Sequence, residues 1–152
     1  MPKRSSKPSD AHTPVAALRK LMADFVGERA WQKYHTPRNL AASISIEAAE
    51  LLEHYQWLTP EEAAHKSRHD DAFRLAVGEE LADVLLYLLS LANALDLDVT
   101  ATVLAKMEKN RHKYPASHYH GHYERPPRTA PLPGIPPRQP RSRRAATRKK
   151  TP

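Results

Sequence analysis

Two pairs of acidic residues stand where carboxylates are least at home. Glu47 and Glu50 are three residues apart, on adjacent turns of one helical face. The apolar residues of that segment, Leu40, Ile44, Leu51 and Tyr55, recur at helical spacing, and Glu47 falls between Ile44 and Leu51 in the same register. Glu80 and Asp83 repeat the device further on, with Asp83 set among Leu81, Val84, Leu85 and Leu86. Four carboxylates are therefore expected to face inward. Ionised carboxylates buried without partners are prohibitive, and two of them about 4 Å apart repel by roughly 4 kcal/mol at an effective dielectric of ~20. Few lysines or arginines are placed to face them, so a hard divalent cation with oxygen ligands is the expected neutraliser. Mg²⁺ is the natural candidate, because it favours carboxylates and commonly bridges to substrate phosphates.

The plain alternative is that these acids are solvated helix residues, which is how Glu53, Glu61 and Glu62 read. Glu47 and Asp83 resist that reading by their phase, Glu50 and Glu80 by their partners. A redox di-iron bundle would want Glu-x-x-His pairs on facing helices. That spacing occurs at Glu62 and His65, in a polar connector.

Such acids need rigid elements to hold them, and the chain has helical rather than alternating periodicity with only four glycines. An all-α, antiparallel four-helix bundle-like fold is expected. The first helix is predicted over residues 14–34, with Leu18, Leu21, Met22, Phe25 and Val26 on its apolar face. Thr36-Pro37 restarts the chain as N-cap and first helical residue, since proline's fixed φ suits a position that needs no amide donor. That second helix is predicted to run to about residue 57. Thr59 and Glu62 have the spacing of a capping box and begin a short polar helix or loop. A long helix over residues 71–95 is apolar on nearly every side between Leu81 and Leu91, the pattern of a central buried helix. Asp98 caps the last helix, which must end near Tyr114 because the residue before Pro115 is pushed out of helical geometry. Short connections favour antiparallel neighbours.

Charge divides the chain. The 152 residues carry 24 Lys and Arg against 17 Asp and Glu, a net charge of +7. Residues 116–152 hold nine basic residues against Glu124 alone, and eight of the fourteen prolines. Residues 14–115 hold 12 basic and 15 acidic residues, so the part expected to fold is mildly acidic. The division predicts a disordered N-terminus over 1–13, a helical domain over 14–115 and a basic, Pro/Arg-rich disordered tail over 116–152. An alkaline balance invites a nucleic-acid reading, and here it applies only to the tail, as a contact with a polyanion. The tail's His118, His120 and His122 alternate, a transition-metal pattern that is more often simply solvated. With no cysteine, disulfide scaffolds, zinc thiolates and thiol catalysis are excluded. The longest apolar stretch, residues 81–95, is interrupted by Asp83 and Asn93 and is short for a membrane span. A soluble, cytoplasmic protein with no membrane partner is expected.

Three blocks in order, ERAWQKYHTPRNLAASISIEAAELLEHYQW, EELADVLLYLLSLA and KMEKNRHKYP, together resemble the all-α nucleoside-triphosphate pyrophosphatases of the MazG-like superfamily. The likeness is to the dCTP pyrophosphatase branch and covers about residues 14–115. The resemblance implies Mg²⁺-dependent cleavage of a (deoxy)nucleoside triphosphate between its α and β phosphates, releasing a monophosphate and pyrophosphate. It implies metal binding by Glu47, Glu50, Glu80 and Asp83, with Glu50, or its neighbour Glu47, taking the proton of the attacking water. Lys106, Asn110 and Lys113 share a face at i, i+4, i+7 and match the family's phosphate and sugar contacts. Their alternative is a solvated basic helix end favoured by the helix dipole. Trp31, Trp57 and Tyr87 match aromatic positions that line the nucleotide pocket, against the alternative that they are core.

Two positions depart from the branch. Met22 stands where animal members have a histidine, and Ala30 where an acid is common before the tryptophan. They leave the reaction in place and loosen the expectation of strict cytosine preference, so other deoxynucleotides and modified pyrimidines come within range. A long helix that is apolar nearly all round is hard for four helices to cover. Self-association into a homo-oligomer, a dimer or tetramer, is the expected remedy, as the resemblance also implies. Two competing readings follow from the same sequence. One is a noncatalytic helical oligomer that binds nucleic acid through its tail; the other is phosphoribosyl-ATP hydrolysis, disfavoured by the aromatic set.

Overall fold

The computed structural model describes residues 8–124, which form helices joined by turns, with no strand among them. The chain divides between Asn110 and Arg111 into two compact units. The Pro/Arg-rich part of the tail from residue 125 on lies outside the described residues, as do residues 1–7.

In the first unit α1 spans Val15–Glu28, α2 Pro37–Glu53, α3 Pro60–His69 and α4 Asp71–Ala94. α5, Val99–Lys113, begins in this unit. The predicted start signals are where the helices begin. The Thr36 hydroxyl accepts from the Asn39 amide at 3.3 Å, with Pro37 in the first turn. Thr59 and Glu62 form the reciprocal capping box, with bonds of 2.9 and 3.2 Å. Asp98 accepts from the Ala101 amide at 2.8 Å. Asp70, at the start of α4, adds a cap through the Phe73 amide at 2.9 Å.

α1 stops at Glu28, six residues short of the expected end at residue 34. The amide of Trp31 donates to Val26 and that of Ala30 to Gly27, both at 3.0 Å, and Ala30 has φ 51°. This is a Schellman ending, whose left-handed position is usually taken by glycine. α4 ends in the same way, with Leu97 donating to Ala92, Asp96 donating to Asn93, and Asp96 at φ 48°. α2 stops at Glu53, where a turn replaces the expected last helical residues up to 57.

α4 packs against α2, α1 and α3 and is central, as expected. Its burial is less complete than its composition predicts. Leu89, Ser90 and Ala92 are buried, whereas Leu81, Leu85 and Leu88, which share a face, are exposed. The buried apolar set is Met22 and Val26 of α1, Leu40 of α2, and Leu89 and Ala92 of α4, so the tight core lies at the C-terminal end of α4. Leu40 is 2% exposed. A reciprocal pair ties α1 to α4 beside it: Arg19 Nε donates to Asn93 Oδ1 at 2.9 Å, and Asn93 Nδ2 donates to the Arg19 carbonyl at 3.0 Å. Near the start of α4, Phe73 meets Tyr55 edge-on at 5.2 Å. Two clamped ends leave the middle of the α2–α4 pair to carry its acids.

In the second unit, Pro115 is followed by a single helical turn, α6, Ala116–Tyr119. Tyr119 meets Tyr114 edge-on at 5.3 Å, and the His118 and His122 rings lie 5.7 Å apart. No helix of the described residues is long and apolar enough to cross a membrane.

Candidate functional site

The packing of α2 on α4 brings acids from the two helices together. Glu47 from α2 and Glu80 and Asp83 from α4 each offer a carboxylate oxygen, and the three oxygens lie within 4.8 Å of one another. Glu47 and Glu80 are half-buried and Asp83 is exposed. Burial raises the Glu47 pKa above the ordinary carboxylate value, and the charges of Glu50, Asp83 and Glu80 push it the same way. Glu50 is exposed, one turn beyond Glu47, and lies outside the three-oxygen cluster. It acts on Glu47 through its charge.

The donor set is all carboxylate oxygen, the kind of donor a hard divalent cation favours. Oxygens held about 2.0–2.6 Å from one ion lie no more than about 4 to 5 Å apart, and the three carboxylate oxygens fall within that limit. Proximity of like charges is unfavourable without such an ion, so the arrangement favours cation binding.

Asp83 also belongs to a second feature, a cleft of about 420 Å³. α1 supplies Leu21, Met22 and Phe25, the turn after it supplies Trp31 and His35, and α4 supplies Asp83, Leu86 and Tyr87. The Schellman turn sets the aromatic wall, because the left-handed residue directly precedes Trp31. Phe25 meets the Trp31 indole edge-on at 5.9 Å, and the His35 ring is stacked on that indole at 6.5 Å. The Arg29 guanidinium lies over the outer Phe25 ring at 3.7 Å. His35 Nδ1 is 2.9 Å from the Ser90 hydroxyl of α4. A mostly apolar, aromatic-walled cleft that shares Asp83 with the carboxylate cluster is suited to a molecule with an aromatic ring and an anionic, cation-binding end.

The residues expected from sequence divide accordingly. Glu47, Glu80 and Asp83 are brought together, and Trp31 and Tyr87 share one cleft with Asp83. Trp57 is 86% exposed in the turn after α2 and does not line the cleft. Lys106 and Asn110 lie on α5, which contains no buried residue, and neither lines the cleft. Lys113 falls in the second unit, with its ammonium 4.9 Å from the Tyr114 ring centroid. The sequence reading passed over His35 and took Leu21 and Phe25 as core; Met22 it placed both on that apolar face and at a position where the resembled branch has a histidine. The one signal for His35 was its place four residues after Trp31.

The MazG-like family matches residues 42–125. Among curated proteins, dCTP pyrophosphatase 1 of Homo sapiens is 42% identical over 99 residues, 65% of this chain and 58% of that protein. The protein of the same name from Bos taurus is 41% identical over 98 residues, 64% of this chain and 57% of that one. The chain thus spans less than three-fifths of the length of these relatives. A solved structure of a pyrophosphatase from Archaeoglobus fulgidus superposes with a TM-score of 0.62 at 43% identity, covering 72% of this chain and 99% of that one. With the family match spanning more than half its length, and the helical fold shared with that structure, the chain belongs to the MazG-like family.

Proposed function

We propose that this chain is a Mg²⁺-dependent nucleoside-triphosphate pyrophosphohydrolase that cleaves between the α and β phosphates of deoxynucleoside triphosphates, dCTP or a modified dCTP foremost. The observation that carries the reading is the sharing of Asp83 between the carboxylate cluster and the aromatic cleft. One end of a bound molecule would lie in the slot while its charged end lies by the acids. The relatives named dCTP pyrophosphatase 1 support the choice of base.

Glu47, Glu80 and Asp83 would hold the cation, with Glu50 one turn away to complete the set or take a proton. When bound, Mg²⁺ supplies neutralisation of the triphosphate charge and acidification of water. Trp31 and Tyr87 stack the base, an interaction worth about 1 to 3 kcal/mol and tolerant of base identity. His35 and Tyr87, with the Trp31 indole N–H and the Asp83 carboxylate, bring polar atoms to the cleft for the base edge, and Met22 leaves its stretch of wall apolar. Glu50, exposed beside the cluster, takes the proton of the attacking water, and the bridging oxygen leaves with pyrophosphate. Lys106 and Asn110 of α5 carry the phosphate-binding assignment within the first unit. The exposed leucine face of α4 is read as the seam of a homo-oligomer. In that assembly Trp57 would serve the cleft of a neighbouring chain.

Purified protein incubated with MgCl₂ and each common deoxynucleoside triphosphate, together with 5-methyl-dCTP, tests the reading by ³¹P NMR and anion-exchange separation. Monophosphate and pyrophosphate in equal amounts are expected, fastest from cytosine nucleotides. Orthophosphate with a nucleoside diphosphate would overturn the bond assignment.

A further inference from the structure

Ser90 is a polar side chain in an apolar place. It is 5% exposed on α4, between the buried Leu89 and the half-buried Leu91. A serine inside a helix often gives its hydroxyl hydrogen to the carbonyl four residues back, as Ser45 does to Ala41 at 3.0 Å. Among the described residues the hydroxyl of Ser90 instead has one partner, His35 Nδ1 at 2.9 Å, from the turn between α1 and α2. That contact joins elements 55 residues apart in sequence.

Its direction follows from accounting for the hydrogens. A buried hydroxyl hydrogen left without an acceptor is more costly than an unfilled lone pair. Ser90 therefore donates and His35 Nδ1 accepts. A neutral imidazole that accepts at Nδ1 carries its hydrogen on Nε2. Stacking on Trp31 holds the ring plane, and the imidazole lines the cleft, so Nε2 is its remaining polar atom for a ligand there.

We propose that Ser90 is a positioning residue that locks His35 in the Nε2–H tautomer, so that the cleft offers a fixed N–H donor to an in-plane acceptor of the nucleotide base, such as O2 or N3 of a pyrimidine. The recognition half rests on the nucleotide reading of the cleft; the tautomer half does not. Stacking tolerates any base, whereas a donor of set direction discriminates by the acceptor opposite it. Ser90, which does not itself line the cleft, then determines selectivity without touching substrate.

Long-range ¹H–¹⁵N spectra of the full chain at pH 8, without metal or nucleotide, read the tautomer directly, with His35→Gln used to assign its signals. A single Nε2–H form is expected in the wild type, a mixture in Ser90→Ala, and restoration in Ser90→Thr, which keeps the hydroxyl. An Nδ1–H form in the wild type, or a tautomer unmoved by Ser90→Ala, would overturn the proposal. In turnover assays Ser90→Ala should raise KM for dCTP about three- to tenfold, the worth of one hydrogen bond, with kcat within about twofold. KM should stay unchanged for a triphosphate carrying a phenyl ring in place of the base, which stacks but offers no acceptor. An equal rise for both substrates would mean that Ser90 only packs the wall and would end the recognition half. No hydrolysis by the wild type would defeat the pyrophosphohydrolase reading and the recognition half with it, while the spectra still decide the tautomer.

Discussion

Glutamine in place of Glu47 keeps the shape of the side chain and removes its charge, and the cluster geometry gives this change two effects of opposite sign. Two unit charges 4.8 Å apart, the outer spacing of the three oxygens, repel by about 0.9 kcal/mol in water-like surroundings. The exposure of Asp83 and partial exposure of the other two make that the proper limit. Glu47→Gln removes two of the three pairs, a gain of about 2 kcal/mol at low ionic strength and about half that at physiological salt. The melting temperature in EDTA should therefore rise, by roughly 4 °C for each kcal/mol. The same change removes a proposed ligand, so the stabilisation by added MgCl₂ expected of the wild type through binding to the folded state should be largely lost. The pH dependence has a definite sign. Because the folded Glu47 pKa is raised above 4.5, the fold binds a proton more tightly than the unfolded chain does. Stability then falls as pH rises through the window between 4.5 and the folded value. The advantage of Glu47→Gln is full above that window and vanishes below 4.5. Thermal unfolding by circular dichroism at fixed protein concentration, with and without MgCl₂, tests all three statements. A variant no more stable than wild type in EDTA, yet equally stabilised by Mg²⁺, would refute the cluster as a cation site.

Other perturbations test the parts that hold the site. Leu40→Ala removes the most buried large side chain and should cost about 2 to 5 kcal/mol in urea unfolding; a loss below 1 would mean that the α1–α2–α4 end is not the core. Trp31→Ala should raise KM for dCTP about five- to a hundredfold through lost stacking, while leaving Mg²⁺ stabilisation intact. Thr59→Ala should lower stability by about 1 kcal/mol through the lost cap, with amide exchange speeding up at the start of α3. In the wild type the Glu62 pKa is lowered mainly by the Thr59 backbone amide and secondarily by its side chain. Its stabilising contribution is present above 4.5 and fades as pH falls through the lowered value. Most of that depression should survive Thr59→Ala when the carboxyl is titrated by ¹³C NMR.

What was legible in the sequence was local. Thr36-Pro37, Thr59 with Glu62, and Asp98 announced helix starts because a start is written in a few adjacent residues. The phase of Glu47 against Ile44 and Leu51 marked its half-buried place, but the expectation of four inward-facing acids does not hold: Asp83 and Glu50 are exposed, and Leu81 and Leu85 around Asp83 are exposed with it, because the apolar run of α4 is only partly covered. The end of α1 was not legible, since Ala30 occupies a left-handed position that is ordinarily marked by glycine. Hydrophobicity alone overstated the burial of α4, because Leu81, Leu85 and Leu88 report what the helix can cover and not what a single chain supplies. His35 was hidden because its partner Ser90 is 55 residues away. Nothing local to either residue marks the pair.

Ala30 has one more consequence. A side chain in the left-handed region costs roughly 1–2 kcal/mol that glycine would not, yet it leaves the turn before Trp31 far fewer shapes to sample than glycine would allow. The indole is thereby kept in a narrow range of orientations before any ligand arrives, so little ordering entropy is left to be lost on encounter. Loosening that joint with Ala30→Gly would trade conformational strain for a wandering platform, and a tighter-folded protein would grip its ligand less well.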